Sequence, residues 1–575
     1  MPITGDCVVE GQYTLTFDEF GMSGGRQSDH QLFVHGGANG GGWVNLGQGE
    51  YRFSGGTTIA GTSLVVWDTL LSDVRILRDY TGLGFNGESE FWLLGTVKGN
   101  VVNEQLMNVR CWSGIHSCSN IPQQRIDGNY TQLPQGTLEM VLGRGLQITG
   151  LATLDGDLRL TRGDANYVLP NAPGNILVLH ADGGVTGQFA RWNTQSLFLE
   201  GALRYMSNDV FFDATRISLQ AATAAQGMSG TTLASAGNVD RALAVADGFA
   251  SAPNAVQSRF LQSAGRLLWI GDAQQAARSL DSLAGSLHVE AMEALARNDA
   301  LSRGIGARAL ALQPGSHAGA WSRLQGDGTI AGFDQWLSPH LLVGASASEA
   351  SGLATDALGG QTQHDSPQAA LYLRWFGDDG WYAGGSAGYA RHALGLDRRI
   401  DLADGGNWNA HAQRRLGIAS LDAEAGRRFA FAGMAIAPYA WMGADLLRSE
   451  RTLELGQTGF ELALQANRQA RLEAGLGLRV GRRWRFGDTG WVALDADARY
   501  RRRLAQAGDP LRAAFVGVPD AWFDLSAHEA RVGTWLELGL HGGFGHGWGW
   551  SLGHAGSLTD ANGQRHWQFG LQRRF

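Results

Sequence analysis

From about residue 314 to Phe575, apolar and polar residues alternate with a period of two. In Arg471 to Gly481, Leu472, Ala474, Leu476, Leu478 and Val480 share one face, and Arg471, Glu473, Gly475, Gly477 and Arg479 take the other. Trp491 to Arg501 sets Val492, Leu494, Ala496, Ala498 and Tyr500 against Asp495, Asp497, Arg499 and Arg501. Val532, Thr534, Leu536, Leu538 and Leu540 likewise oppose Arg531, Glu537 and His541, and Ala419, Leu421, Ala423 and Ala425 oppose Ser420, Asp422 and Glu424. This period is that of a strand, whose successive side chains point to opposite sides. About twelve such runs lie between turn signals, each of roughly 9–12 residues, which is the length of a tilted membrane-spanning strand. Trp375, Trp381, Trp484, Trp491, Trp548 and Trp550 fall at strand ends, where an interfacial belt places aromatics. The pattern predicts an antiparallel transmembrane barrel over 314–575, greasy outside and charged within, with Glu473, Arg479, Asp495, Asp497 and Arg499 facing the lumen. A soluble sheet is the alternative, disfavoured by the length and number of the strands.

Between about 218 and 313 the period lengthens to about 3.6. Asn238 is expected to cap a helix carrying Val239, Leu243 and Ala246, and further helices are expected near Val256–Trp269 and Ala273–Leu283. The last, Ser286 to Leu312, carries Leu287, Val289, Met292, Leu295, Leu301, Ile305 and Leu310, with Glu290, Glu293 and several arginines between them. At about 1.5 Å per residue it would span roughly 40 Å, a bilayer with its headgroups. Gly304 and Gly306 weaken it near its end.

Residues 1–217 instead show short apolar runs with glycine-rich corners, as in Tyr51-Arg52-Phe53-Ser54-Gly55-Gly56-Thr57-Thr58-Ile59 and in Gly150 to Leu160. Strands of about four to six residues returning every twenty or so suggest stacked rungs of a parallel β-helix, with a small β-sandwich as the alternative. The fold class expected is therefore mainly β: a short β-helix at 1–217, a helical linker at 218–313 and a twelve-stranded barrel.

Composition agrees. Eighty-three glycines against 12 prolines, with 44% hydrophobic and 17% charged residues, exclude a chain that is mainly disordered and suit tight-turned β-structure. A net charge of −8 argues against nucleic acid as a partner. No run of 18 apolar residues is present, which leaves a β-barrel as the way to span a membrane. Met1-Pro2-Ile3-Thr4-Gly5-Asp6-Cys7 lacks the basic and apolar regions of a signal peptide, so a truncated or misannotated open reading frame is expected. Cys111 and Cys118 bracket a small loop and are a candidate disulfide in an oxidising compartment, or else two free thiols. No metal-binding cluster or phosphate loop is apparent, so no cofactor is expected.

The whole chain resembles the C-terminal portion of a bacterial autotransporter, the type V secretion family. Trp567, Phe569 and Leu571 share one face of a final strand closed by Phe575, similar to the signal read by the barrel-assembly machinery. Gly55 to Leu64 resembles the passenger-associated repeat of that family, Leu177 to Phe189 its last rungs before the barrel, and His317-Ala318-Gly319-Ala320-Trp321 the opening of its translocator. The resemblance implies a monomeric outer-membrane barrel that exports its own N-terminal passenger to the cell surface and is left with the 286–312 helix in its pore. Its implied partners are outer-membrane lipid, the barrel-assembly machinery and periplasmic chaperones. Members with this type of barrel often carry a subtilisin-like serine protease ahead of the β-helix. Here Gly61-Thr62-Ser63 resembles the start of that serine motif, but Leu64-Val65-Val66 follows, and no Asp or His motif fits in the sixty residues before it, so no catalytic triad is expected. The alternative is the C-terminal fragment of a surface protease or esterase whose catalytic domain lies upstream. Some family members also cleave themselves by attack of an asparagine side chain on its own backbone, which makes Asn298-Asp299 a candidate processing site.

Overall fold

A computed structural model of the chain describes residues 7–10, 15–16, 27–28, 31–35, 43–78, 88–109, 123–141, 143–161, 167–170, 174–296, 300–312, 318–325, 328–487, 490–525, 532–544, 548–557 and 565–573. They fall into two compact units. One is Met1–Ser229 with Val239–Ser279 and Leu402–Gly406; the other is Gly230–Asn238 with Leu280–Asp401 and Asn407–Phe575.

The first unit is built on three parallel sheets whose strands follow one another in every rung. Each turn of chain lays one short strand on each sheet, so Val74 stacks on Thr57 and Val101 on Val74. Parallel ladders of this kind exclude a sandwich. Partners lie 17 residues apart at Thr57 and Val74 and 33 apart at Ala152 and Val185, because the corners carry insertions of different length. Inward side chains such as Ile59, Leu64, Leu70, Ile76, Phe91 and Leu138 retain no exposed surface. One corner is a column of glycines. A Cβ on Gly128 would overlap the Gly99 carbonyl, one on Gly150 the Gly128 carbonyl, and one on Gly183 the Gly150 backbone. Gly128→Ala is therefore expected to destabilise this unit by about 1–3 kcal/mol, the usual cost of forcing backbone apart, measured by urea unfolding.

A hairpin, Leu199–Tyr205 and Asp209–Arg216, closes the last rung by pairing antiparallel with Gly174–Ala181. Here His180 Nδ1 lies 2.7 Å from Asp209 and Nε2 3.1 Å from Asp182. The bond to Asp209 raises the imidazole's pKa above its ordinary value, outweighing partial burial. A raised folded value means this contribution is complete below the unfolded pKa of about 6.5 and is lost as pH climbs through the higher folded one. Amide exchange in Asp209–Arg216 should therefore quicken above about pH 6.5 beyond the intrinsic rate, and His180→Asn should remove that excess.

Six helices are described: α1 (Leu219–Ala225), α2 (Gly230–Ala246), α3 (Ala255–Leu268), α4 (Ala273–Leu283), α5 (Ser286–Ala296) and α6 (Ala300–Ala311). The helices near 256–269 and 273–283 stand where the periodicity places them. Asn238 does not cap a helix. It lies buried inside α2, whose N-cap is Ser229, because helix-compatible residues continue for two turns before it. The real asparagine cap is Asn254, which forms a capping box with Gln257 at the start of α3. The expected single helix over 286–312 is described as α5 and α6, on either side of 297–299.

Among the described residues of the second unit twelve strands follow one another antiparallel in a single sheet, to which the short strand Phe429–Phe431 adds by pairing with Met434–Ile436. They are β1 (Ala320–Gln325), β2 (Gly328–Ser338), β3 (Leu341–Thr355), β4 (Gln361–Phe376), β5 (Trp381–Ile400), β6 (Trp408–Arg427), β7 (Met434–Ser449), β8 (Asn467–Phe486), β9 (Gly490–Gly508), β10 (Val532–Phe544), β11 (Trp548–Ser557) and β12 (Arg565–Arg573). The sheet curls until β1 and β12 come within 8 Å, Cα to Cα. Short links, such as Phe376 to Trp381, lie at the end where β1 begins and β12 stops, and the long loops lie at the other. Outer-membrane barrels place short turns toward the periplasm and long loops outside.

The strands from β3 to β9 run 15–20 residues, longer than the expected 9–12. The inward side keeps its alternation beyond the bilayer while the outward side turns polar, so the ladder outlasts the lipid pattern. Two of the long loops add a small four-stranded sheet, Thr452–Leu453, Leu462–Leu464, Arg512–Phe515 and Phe523–Asp524. It is cored by Phe460, Phe515 and Phe523.

Candidate translocation pore

Side-chain directions decide what the curled sheet can do. Leu421 and Leu476 are 63% and 66% exposed, whereas Arg479 and Arg499, on the opposite faces of neighbouring runs, are 2% exposed. At this level of the sheet large apolar residues thus face out, and charges face in. Buried charges are costly unless they are paired or hydrogen-bonded, and carboxylates and a phenol meet these. Arg479 donates to Glu424 (Nη2 to Oε2, 2.9 Å) and to Asp497 (Nε to Oδ2, 3.1 Å), with its guanidinium 4.1 Å from the centre of the Tyr439 ring. The Tyr439 hydroxyl donates to Asp497 (2.7 Å) and accepts from Arg499 Nε (3.1 Å). Arg479, Asp497 and Arg499 therefore meet in one cluster around Tyr439.

Glu473 sits apart from that cluster, 3.8 Å from both Arg501 and Arg503. Asp495 faces His541 at 3.4 Å. Trp381 and Trp375 face outward at the turn end with Phe429 and Phe431. Trp491 departs from the expected belt. It turns to the lumen side, where its ring packs against His541 and lies 4.0 Å from the Arg483 guanidinium. The β12 backbone that carries Trp567, Phe569 and Leu571 pairs with β11. Phe575, Asn298, Asp299, Cys111 and Cys118 lie outside the described residues. In the β-helix, Ser63 Oγ donates to Glu90 of the next rung at 3.0 Å, a contact between stacked strands.

The helices α5 and α6 pack against the inner wall, and three of the charges they bring, Glu293, Arg303 and Arg308, meet opposite charges on it. Glu293 of α5 accepts from Arg471 of β8 and from Arg503 of β9, the latter at 2.7 Å. Arg303 of α6 donates to Glu537 of β10 at 2.6 Å and lies over the Trp535 ring. Arg308 holds Asp334 of β2 through two bonds, of 2.9 and 3.1 Å, and Asp334 also accepts from Tyr372. Between these pairs Leu287, Met292 and Leu295 pack against Leu394, Leu416 and Leu447, and Leu301 and Ile305 belong to a second cluster with Tyr372 and Trp441. Gly306 lies against the Arg479 guanidinium so closely that a Cβ would overlap it. The glycine that weakens the helix in sequence is what lets it approach the wall. At the end of α6, Arg428, just after β6, donates to the Leu312 carbonyl (3.2 Å).

Where the chain enters the barrel, Glu454 of the loop sheet accepts from Arg398 (Nη2 to Oε2, 2.6 Å), contacts His288 of α5 at 2.8 Å and accepts from the Leu462 amide. Burial alone would raise the Glu454 pKa, but the Arg398 guanidinium overrides it and holds the carboxyl at about 2. Arg398 also donates to the Ser282 carbonyl at the end of α4. The space left between helices and wall includes a cavity of about 60 Å³ lined by Ala296, Leu301, His392, Asp422, Asp445, Glu473 and Arg501. That is room for a few waters.

Sequence reasoning named the wall charges of β8 and β9 but missed Glu424, Tyr439, Asp334, Arg471 and Arg503 as partners. Their inward parity was readable, since Glu424 lies between Ala423 and Ala425 and Arg471 between Ala470 and Leu472, but the pairings join residues as far apart as Glu293 and Arg503, 210 positions.

Residues 302–554 match the family described as the autotransporter β-domain. The chain carries an autotransporter β-domain. Solved structures similar to it include the translocator domain of autotransporter NalP from Neisseria meningitidis, at 16% identity over 51% of this chain and 99% of that one, with a TM-score of 0.36. The β domain of the Bordetella autotransporter BrkA is 19% identical over 43% of this chain and 90% of that one, with a TM-score of 0.30. No curated protein matches the chain. Autotransporter β-domains are outer-membrane translocators, and the barrel of this one is not itself catalytic.

Proposed function

We propose that this autotransporter inserts in the outer membrane as a monomeric barrel, exports its own β-helix to the cell surface, and keeps α5 and α6 in the pore afterwards. The observation that carries the reading is the match of charges, Glu293 to Arg471 and Arg503, Arg303 to Glu537, and Arg308 to Asp334, between a chain inside the barrel and the wall around it. A wall built to hold a segment of its own chain fits a barrel through which that chain has passed. Export of a β-helix needs no energy source in the membrane, because each rung that folds outside buries apolar surface unavailable in a narrow pore. On this reading Trp567, Phe569, Leu571 and Phe575 are the face read by the assembly machinery, and periplasmic chaperones hold the chain beforehand. The test is the whole chain fused to an export signal in a Gram-negative host. The barrel should migrate faster on a gel unheated than heated, and protease added to intact cells should remove the β-helix while sparing the barrel. A β-helix that stays protected in intact cells would overturn the proposal.

A second reading concerns Asn298-Asp299. The cavity at the level where α5 ends and α6 begins carries Asp422, Asp445 and Glu473, the kind of polar surround that cyclisation of an asparagine requires. Attack of the Asn298 side-chain nitrogen on its own carbonyl carbon would form a succinimide and release Asp299 as a new N-terminus. Outer-membrane fractions should then hold a fragment beginning at Asp299, absent from Asn298→Ala. Uncut chain alone would contradict it.

A further inference from the structure

The outward side of the barrel carries a group of arginines that nothing in the pore uses. Arg391 of β5 is in register with Gly417 of β6, Gly417 with Arg448 of β7, and Arg448 with Arg468 of β8. Arg415 lies two residues from Gly417 on β6, toward the loop end. All four arginines are exposed. Among the described residues none has a carboxylate within ion-pair distance, although Glu450 lies beside Arg415 across the strand pair. Asp397, on the same side of β5, is engaged by His411. Like charges directly opposite each other on neighbouring strands, as at Arg448 and Arg468, destabilise a sheet unless an anion joins them.

Their height is as telling as their charge. Trp381 faces outward at the turn end of β5, and Arg391 is ten residues further along the same strand. At about 3.3 Å per residue and a tilt of about 40°, that is roughly 25 Å, the height of the apolar band of an outer-membrane barrel. Tyr389, Leu421 and Leu446 fill that band below the arginines. Gly417 leaves a gap between Arg391 and Arg448, and the Tyr389 hydroxyl leans over it, close enough to meet a Cβ placed there. Three strand spacings of about 4.8 Å put roughly 14 Å between the ends of the row. That is wide for a single phosphate and suits a headgroup carrying more than one.

We propose that Arg391, Arg415, Arg448 and Arg468 bind the phosphates of a multiply phosphorylated lipid headgroup in the outer leaflet, with the Tyr389 hydroxyl as a further donor. Guanidinium groups suit this because they pair bidentately with phosphate and are only weakly hydrated. The proposal rests on the membrane-barrel reading above.

The test uses the whole chain in neutral detergent micelles, scored by the temperature at which the fast-migrating folded form is lost. Diphosphoryl lipid A should raise that temperature, while fully dephosphorylated lipid A and inorganic phosphate at the same phosphate concentration should not. The double variant Arg448→Gln, Arg468→Gln should bind diphosphoryl lipid A about thirtyfold more weakly, since each arginine at a lipid surface is worth about fivefold in binding. Without lipid it should be at least as heat-stable as the wild type, because a like-charge pair has been removed. A folded wild-type barrel that is protected equally by the dephosphorylated lipid, or a double variant that binds as well as wild type, would overturn the site alone. Equal protection by inorganic phosphate would overturn the lipid as its ligand. A wild-type chain with no fast-migrating form would overturn the barrel reading and this proposal with it.

Discussion

Glu293→Lys will release α5 from the barrel wall. The carboxylate is the shared acceptor of Arg471 and Arg503, and all three side chains are almost wholly buried. Removing one partner of a buried ion pair costs about 3–5 kcal/mol because the remaining charge is left without solvent or counter-ion. Here two guanidiniums would be stranded, and a third cation would be set between them. The other polar anchor of the helix, His288 against Glu454, lies more than a turn away, and Leu295 beside Glu293 makes only apolar contacts. The folded barrel should persist, because β8 and β9 stay laddered to each other along their length. Protease added to the purified protein should then cut within Ser286–Ala296, where the wild type should resist. Exchange of the charges, Glu293→Arg with Arg471→Glu and Arg503→Glu, should restore resistance. Unchanged resistance in Glu293→Lys would mean the ion pairs do not hold the helix.

Gly306→Leu will open the pore to ions. The Arg479 guanidinium that a side chain at 306 would strike cannot swing aside, because Glu424 and Asp497 hold it and Tyr439 lies beneath it. Either Arg479 abandons buried partners or α6 leaves the wall. Overpacking alone costs about 1–3 kcal/mol, and displacing α6 also loosens Arg303 from Glu537 and Arg308 from Asp334, so the open state should gain at least about tenfold in population. In planar bilayers the wild-type barrel should pass little current and Gly306→Leu a steady one. Gly306→Ala, with less bulk, should fall between them. A variant as tight as the wild type would show that the glycine is not a contact point.

Much of this architecture is legible in the sequence because a barrel wall has only two environments. Leu476, Leu478 and Tyr500 alternate with Arg479 and Arg499, and that parity alone assigns outside and inside once the strands are read as membrane-spanning. Strand length is less legible. Beyond the apolar band the outward positions become Arg391, Gln413, Arg415 and Arg448, so the lipid-facing signal stops where the hydrogen-bonded ladder does not. The loop sheet escapes notice because its strands of two to four residues carry no period. The β-helix shows as a texture rather than a repeat, since insertions at the corners vary the rung length. Gly306 reads as a flaw in a helix until Arg479, far along the chain, is seen lying against it. Trp491 misleads for a related reason. An aromatic at a strand end suits the lipid interface, but its parity with Asp495 and Arg499 turns it inward.

The measurement that bears most directly on the account is the solvent exposure of single spin labels placed along β6 and β8 in lipid vesicles. Labels at Ala419, Leu421, Leu476 and Leu478 should be relaxed by oxygen, which concentrates in the hydrocarbon, and barely by a water-soluble nickel chelate. Labels at Ser420, Asp422 and Gly477 should lose the oxygen response. A pattern of opposite phase, or no period of two at all, would contradict a barrel that is apolar outside and charged within.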